Sequence, residues 1–202
     1  NLTQAFALGV PHISAYALTV EPRTALASFI KNKTQPPVND SQAATQFTRL
    51  LDTMQQQGFE HYEISNFCLQ GHYSRHNTNY WRGIKYLGIG PSAHSFNTET
   101  RQWNVANNAS YIQGINAGCI PAETEVLTEA NHLNEYIMTS LRTMWGLDTA
   151  RLERIAAGSV AVLLKEAASF FEKGWLVRDQ DKLLLTRSGK LYADHIAAEL
   201  FF

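Results

Sequence analysis

Residues 75–83 read Arg75-His76-Asn77-Thr78-Asn79-Tyr80-Trp81-Arg82-Gly83, and shortly afterwards the chain continues Tyr86-Leu87-Gly88-Ile89-Gly90-Pro91-Ser92-Ala93-His94-Ser95. The second run decides the reading of the fold. It is small, apolar and rich in glycine, the composition of a buried strand whose backbone lies close to a neighbour. A glycine-lined strand can admit a cofactor against its main chain, or equally a helix. The first run gathers an imidazole, an asparagine pair, two large aromatic rings and two arginines into one short stretch. Side chains that together offer a metal ligand, stacking faces and amide hydrogen bonds are more often site-building than solvated connection.

Upstream, residues 12–20 (His-Ile-Ser-Ala-Tyr-Ala-Leu-Thr-Val) form a nearly continuous apolar run after a helical segment at residues 2–8. Helix, short turn and apolar run read as part of an α/β layer, with a parallel strand buried on both faces. Glu21-Pro22 breaks that strand at its carboxyl end, where α/β folds assemble their sites, so Glu21 is a mild candidate for a polar contact. A helix is expected from Asp40 or Ser41, with Phe47, Leu50, Leu51 and Met54 on one face and Gly58 at its end. Residues 59–67 alternate like a single strand. The motif at 75–83 is then a connection between two buried strands, and residues 101–117 are a loop leading into a short helix.

The pattern changes after Cys119-Ile120-Pro121. Thr128 is placed to cap a helix carrying Leu133, Ile137 and Leu141, and Asp148 to cap another. Residues 161–173 suit a third helix. Residues 175–178 and 182–185 flank Asp179-Gln180-Asp181 as a hairpin, and Thr186 caps a last helix. This is a winged-helix-like α+β arrangement, and the domains are expected at 1–118 and 119–202. A nucleic-acid role is disfavoured. Lys165 and Lys173 are offset by Glu166 and Glu172, the wing tip holds two aspartates, and groove binding needs a net basic footprint.

Composition agrees. The 202 residues carry 17 Lys and Arg against 18 Asp and Glu, a net charge of -1, which leaves no bulk field to recruit nucleic acid or an anionic membrane. With 45% hydrophobic residues the chain can bury a core, while its apolar runs fall short of the roughly 18 residues of a membrane span. No signal-peptide pattern opens the sequence. Starting on Asn1 inside a helical pattern, the chain is expected to be a piece of something longer. Its two cysteines, Cys68 and Cys119, are too few and too scattered for a zinc or iron–sulfur motif, and read as thiols in a reducing compartment.

Three motifs carry a resemblance. Tyr62-Glu63-Ile64-Ser65-Asn66-Phe67, then Arg75-His76-Asn77-x-x-Tyr80-Trp81-Arg82-Gly83, then residues 86–94 are similar to the radical SAM proteins related to oxygen-independent coproporphyrinogen III oxidase. Within them, His-Asn-x-x-Tyr-Trp resembles the heme chaperone branch. Residues 14–22 resemble the family's late barrel strand, and Leu183-x-Leu185-Thr186-x-x-Gly189 its carboxyl-terminal domain, so the likeness covers essentially the whole chain.

The resemblance implies an α/β fold: the carboxyl-terminal part of a partial (β/α) radical SAM barrel at 1–118, then a small winged-helix-like domain at 119–202. For the longer protein it implies a [4Fe-4S] cluster and S-adenosylmethionine. The family's Cys-x-x-x-Cys-x-x-Cys motif is absent from these residues, so this fragment is expected to hold no cluster and to be inactive alone. His76 is the expected axial ligand of heme iron, with Tyr80 and Trp81 as porphyrin-facing rings and Arg75 or Arg82 for the propionates. The alternative for His76 is a local hydrogen bond to backbone, with Trp81 plugging a barrel wall. Ala17 and His94 fall where the family passes S-adenosylmethionine. The function implied is heme binding and delivery by a cytoplasmic protein to acceptor proteins, with membrane proximity through an acceptor; the alternative is oxidative decarboxylation of coproporphyrinogen III. Exposed strand edges lead to an expectation of self-association.

Overall fold

The computed structural model describes residues 1–202 and forms two compact units, Asn1–Tyr73 and Ser74–Phe202. The chain is α/β, and every strand pair in it is antiparallel.

In the first unit, helix α1 (Leu2–Ala7) precedes strand β1 (His12–Ser14), and helices α2 (Ala25–Lys31) and α3 (Asp40–Gln56) lead to strands β2 (Glu60–Glu63) and β3 (Asn66–Cys68). The sheet order is β1-β3-β2. The apolar face of α3 supplies Leu51 and Met54 to a core with Phe67, and Leu2, Phe6, Ile13, Phe47, Leu50 and Phe59 pack around them. The amphipathic spacing of that helix is the cause: its polar face is glutamine, threonine, arginine and aspartate, so only one stripe has apolar area to remove from water.

Three expectations for this unit are corrected. The parallel strand over residues 12–20 is three residues long and antiparallel. Its partner β3 is itself only three residues, so the ladder stops at Ser14, and Tyr16 and Leu18 lie exposed. Residues 59–67 are a tight hairpin rather than one strand, with an irregularity between His61 and Glu63 that buries Tyr62 and Glu63 together. The cap of α3 is Asn39, whose side-chain oxygen accepts from the Gln42 amide at 2.9 Å, so the capping residue lies just before the expected Asp40 or Ser41 while the helix itself starts at Asp40.

Glu63 explains the hairpin. One of its carboxylate oxygens accepts from the Ser65 amide at 3.0 Å and from the Asn66 side-chain amide, and Asn66 in turn accepts from the Ser14 hydroxyl at 2.6 Å. Buried polar groups that satisfy one another tie β1 to the β2–β3 turn.

In the second unit, helix α4 (Arg75–Trp81) is followed by strands β4 (His94–Phe96), β5 (Thr100–Asn104) and β6 (Ala122–Val126), with α5 (Asn108–Asn116) between the last two. They form the sheet β4-β5-β6. Then come α6 (Glu129–Leu141), β7 (Leu147–Asp148), α7 (Thr149–Ile155), α8 (Ser159–Glu166), α9 (Ala168–Glu172), β8 (Leu176–Asp179), β9 (Lys182–Leu185), a 3-10 turn (Gly189–Tyr192) and α10 (Ala193–Glu199), with the sheet order β7-β9-β8. Helix α6 is central. It packs on α4, α7, α10, β7 and β9, and buries Leu133, Ile137 and Leu141.

Local signals are reproduced here. Thr128 caps α6 in a reciprocal box with Asn131, Asp148 caps α7, and the 176–185 hairpin forms. The Thr186 hydroxyl accepts from the Gly189 amide at 3.1 Å, but it starts the 3-10 turn, and α10 begins only at Ala193. Gly189 is required there, since a Cβ would lie 2.0 Å from the Trp175 carbonyl oxygen. Residues 161–173 divide into α8 and α9 around Ala167, which is fully buried. Of the loop and short helix expected at 101–117, the helix is α5, but the start of the loop belongs to β5, which pairs along its whole length with β6; the run of residues around Thr100 has no clean alternation to reveal it.

Two measurements follow from the first unit. His12 Nε2 is 2.8 Å from the Tyr62 hydroxyl, and burial lowers the His12 pKa below 6.5. The unfolded chain therefore takes up this proton first: stability is complete above pH 6.5 and is lost as pH falls through the depressed folded value. Urea unfolding from pH 7.5 to about 5 should show a shallower acid decline for His12→Gln than for wild type; equal slopes would exclude His12 as a contributor. Cys68 is fully buried, and burial, then the Glu60 charge, push its thiol up to about 11, whereas Cys119 is exposed. Iodoacetamide at neutral pH should modify Cys119 in the folded chain and reach Cys68 only in denaturant, as read by intact mass.

Candidate functional site

The motif at 75–83 is a helix rather than a loop. Ser74 accepts from the Asn77 amide at 3.3 Å and starts α4, and Gly83, at φ 67°, ends it. Helical spacing then sorts the motif by face. Thr78 and Trp81 turn toward α6, Thr78 being buried and Trp81 half-buried, while His76 and Tyr80, four residues apart, stand together on the outer face. Their rings meet edge to face, with centroids 4.9 Å apart and planes at 85°. His76 is exposed, and its one ring contact is Tyr80.

Two crossed cation–π contacts accompany the inner face. The Arg142 guanidinium lies 5.6 Å from the Trp81 ring, and that of Arg82 lies 5.2 Å from the Trp145 ring. Trp81 therefore faces α6 and the residues just after it, and Arg82 is engaged with Trp145. Of the two arginines named for propionates, Arg75 is the one at the exposed start of the helix. Arg142 is further held by an ion pair with Asp194 of α10.

From Tyr80 the aromatic contacts continue. Tyr86 meets Tyr80 with centroids 4.8 Å apart, and Phe96 meets Tyr86 at 5.8 Å. Sequence reasoning named neither Tyr86 nor Phe96 as a site residue. The available signal was Tyr86 at the head of the glycine-rich run, three residues after the motif.

That run is not the expected buried strand. One bridge forms, Tyr86 to Phe96, and Leu87 and Ile89 are 79% and 83% exposed. Gly88 approaches a strand rather than a helix. A Cβ on Gly88 would lie 2.2 Å from the His94 carbonyl oxygen, so the glycine lets the chain fold back on β4. Around it, the Gly88 amide donates to Ser95 Oγ at 2.9 Å, and the buried Asn104 side-chain amide donates to the Gly90 carbonyl at 2.9 Å. With its hydrogen-bonding groups directed to β4 and β5, the segment has no neighbouring strand to bury Leu87 and Ile89.

The remaining candidates are divided between the two units. Ala17 is exposed in an irregular segment of the first unit, and Glu21 is exposed nearby in sequence. His94 is exposed in β4 of the second unit, opposite Trp103, with ring centroids 6.4 Å apart. Cys68 and Cys119 belong to different units, and no three His, Cys, Asp or Glu side chains converge on a metal position. The residues present do not fit an iron–sulfur cluster, which asks for at least about three thiolates.

Thr78 Oγ1 and Trp81 Nε1 are buried without a hydrogen-bond partner. Replacing an unpaired hydroxyl by a methyl removes a desolvation cost and keeps the shape. Thr78→Val should therefore leave stability within about 1 kcal/mol of wild type or raise it; a larger loss in urea unfolding would mean that the hydroxyl is hydrogen-bonded in solution.

Comparison with known proteins places this geometry. Residues 127–192 match the HemN C-terminal domain. "Heme chaperone HemW" of Mycobacterium tuberculosis strain H37Rv is 33% identical over 193 residues, covering 95% of this chain and 48% of that protein. The Bacillus subtilis protein of the same name is 29% identical over 201 residues, covering 97% of this chain and 52% of its own length. The solved structure of coproporphyrinogen III oxidase (HemN) from Escherichia coli, a radical SAM enzyme, shares the fold with a TM-score of 0.75 at 17% identity, covering 99% of this chain and 50% of that one. The chain thus spans about half the length of the curated relatives it matches. Residues 127–192 thus carry the HemN C-terminal domain, and nearly all of the chain is similar in sequence to HemW and in fold to HemN.

Proposed function

We propose that this chain is the heme-presenting part of a heme chaperone, with heme as cargo bound at His76. The observation that carries the reading is the exposed imidazole set edge to face against Tyr80 on α4, with no competing hydrogen bond drawing it into the fold. The relatives' printed name, heme chaperone, supports the choice of cargo. A neutral imidazole nitrogen is a good axial ligand for heme iron, and an adjacent ring offers the porphyrin a flat apolar face. Arg75 stands at the open end of the helix to meet a propionate. Trp81 acts from behind, as the side chain that docks the helix on α6.

In this reading the whole protein also carries a [4Fe-4S] cluster and S-adenosylmethionine, the cluster lying outside these residues. Ala17 and His94 are proposed as contacts of S-adenosylmethionine; both are exposed and open to a ligand. Residues 1–118 are proposed to derive from the late part of the barrel, and 119–202 to be a winged-helix-like domain. The order α6, β7, α7, α8 with α9, then the β8–β9 hairpin supports that label. Acceptor proteins, approach to a membrane through an acceptor, self-association and a cytoplasmic setting belong to the same proposal. No helix is long and apolar enough to cross a membrane.

The alternative, a coproporphyrinogen III oxidase, draws on the HemN fold. An anaerobic assay of the whole protein for protoporphyrinogen separates the two, since turnover would favour the oxidase. For the present chain, titration with hemin should give a Soret band whose position changes in His76→Ala, with affinity reduced about tenfold or more, an axial bond being worth at least about 1.4 kcal/mol. An unchanged band and affinity would remove His76 as the ligand.

A further inference from the structure

We infer that Tyr86 is a positioning residue of the heme face, a role that rests on the reading of His76 as the heme ligand. An exposed histidine on a helix surface is free to rotate about two bonds, and an axial ligand must present one nitrogen along one direction. Something has to hold the ring. The only ring touching His76 is Tyr80, which is itself 40% exposed and needs a support of its own.

Tyr86 provides that support through a file of contacts leading into the body of the second unit. Its ring meets Tyr80 with centroids 4.8 Å apart and planes at 61°. Its backbone is fixed from both sides: the Tyr86 amide donates to the Phe96 carbonyl at 3.0 Å, and the Phe96 amide donates to the Tyr86 carbonyl at 2.9 Å. Its ring meets that of Phe96 with centroids 5.8 Å apart, and the Arg101 guanidinium lies 5.9 Å from the Phe96 ring. Arg101 is held in turn by Glu135 of α6 at 2.6 Å, both side chains being about one-third exposed or less. The file therefore runs from Glu135 through Arg101, Phe96, Tyr86 and Tyr80 to His76, and connects the outer face of α4 to the same helix on which its inner face packs.

Each link has a directional preference. Edge-to-face rings favour one mutual angle, and a guanidinium offers its N–H groups in a fixed fork. A ring held by its backbone pairing and by rings on either side has little rotamer freedom left, so Tyr80 and then His76 inherit a narrow range of orientations. Ordering these side chains before the ligand arrives lowers the entropy cost of binding.

The test is hemin titration of the 202-residue chain and three variants, followed by absorbance and by the EPR spectrum of the ferric complex. Tyr86→Leu should weaken hemin binding about threefold to tenfold, the range expected for loss of one aromatic pair. It should also broaden the ferric signal while the melting temperature stays close to wild type. Tyr86→Phe, which keeps the ring, should recover most of the affinity and the narrow signal. Should Tyr86→Leu fail to give a cooperative melt, Tyr86→Met carries the same expectation. If the variant lacking the ring binds hemin like wild type with an unbroadened signal while His76→Ala loses binding, Tyr86 has no positioning role and the His76 reading stands. If His76→Ala itself binds unchanged, the ligand reading fails and the role of Tyr86 with it.

Discussion

The packing of α4 against α6 is the contact on which the candidate site depends. Seven residues make a helix too short to be stable alone, so its stability comes from the side chains it buries. Thr78 and Trp81 are those side chains, and Arg142 and Arg82 close over Trp81 and Trp145 from either side of the contact. Once that face is committed, the helical period leaves His76 and Tyr80 no position but the outer one. The exposed imidazole is thus a consequence of core packing rather than of local sequence preference.

A second constraint acts on the same face. Gly88 allows the chain to turn back on β4 at a distance that any side chain would forbid, and this brings Tyr86 opposite Phe96. The turn has an energetic consequence of its own: with its amides and carbonyls directed to β4 and β5, the segment has nothing to cover Leu87 and Ile89. Large aliphatic side chains left in water give up the transfer free energy that burial would supply, about 1.5–3 kcal/mol each. The structure accepts that exposure beside an aromatic file, a combination suited to a large flat apolar ligand.

The parts legible in the sequence are those in which a residue acts on a close neighbour. Thr128 with Asn131, Asp148 with Arg151 and the 176–185 hairpin are interactions across a few residues, so residue type and spacing determine them. The amphipathic stripe of α3 was legible for the same reason. By contrast, residues 12–20 and 86–94 are apolar enough for buried strands, and neither becomes one. A strand needs a partner, and whether a partner is adjacent is a long-range property that composition does not encode. In the first case β3 is short; in the second the run pairs once and folds back.

The sequence by itself determined the chemistry on offer: a histidine, two aromatic rings and two arginines within one motif, and too few thiols for a cluster. It also carried the likeness to HemW, which extends over nearly all of the chain. Tertiary structure decided which of those groups can meet a ligand. It turned Trp81 inward, engaged Arg82 with Trp145, and added Tyr86, Phe96 and Arg101, which lie up to a sheet away in sequence, to the neighbourhood of His76. The physical reason is that a helix has one buried face and a turn has one direction, and both are set by what packs against them.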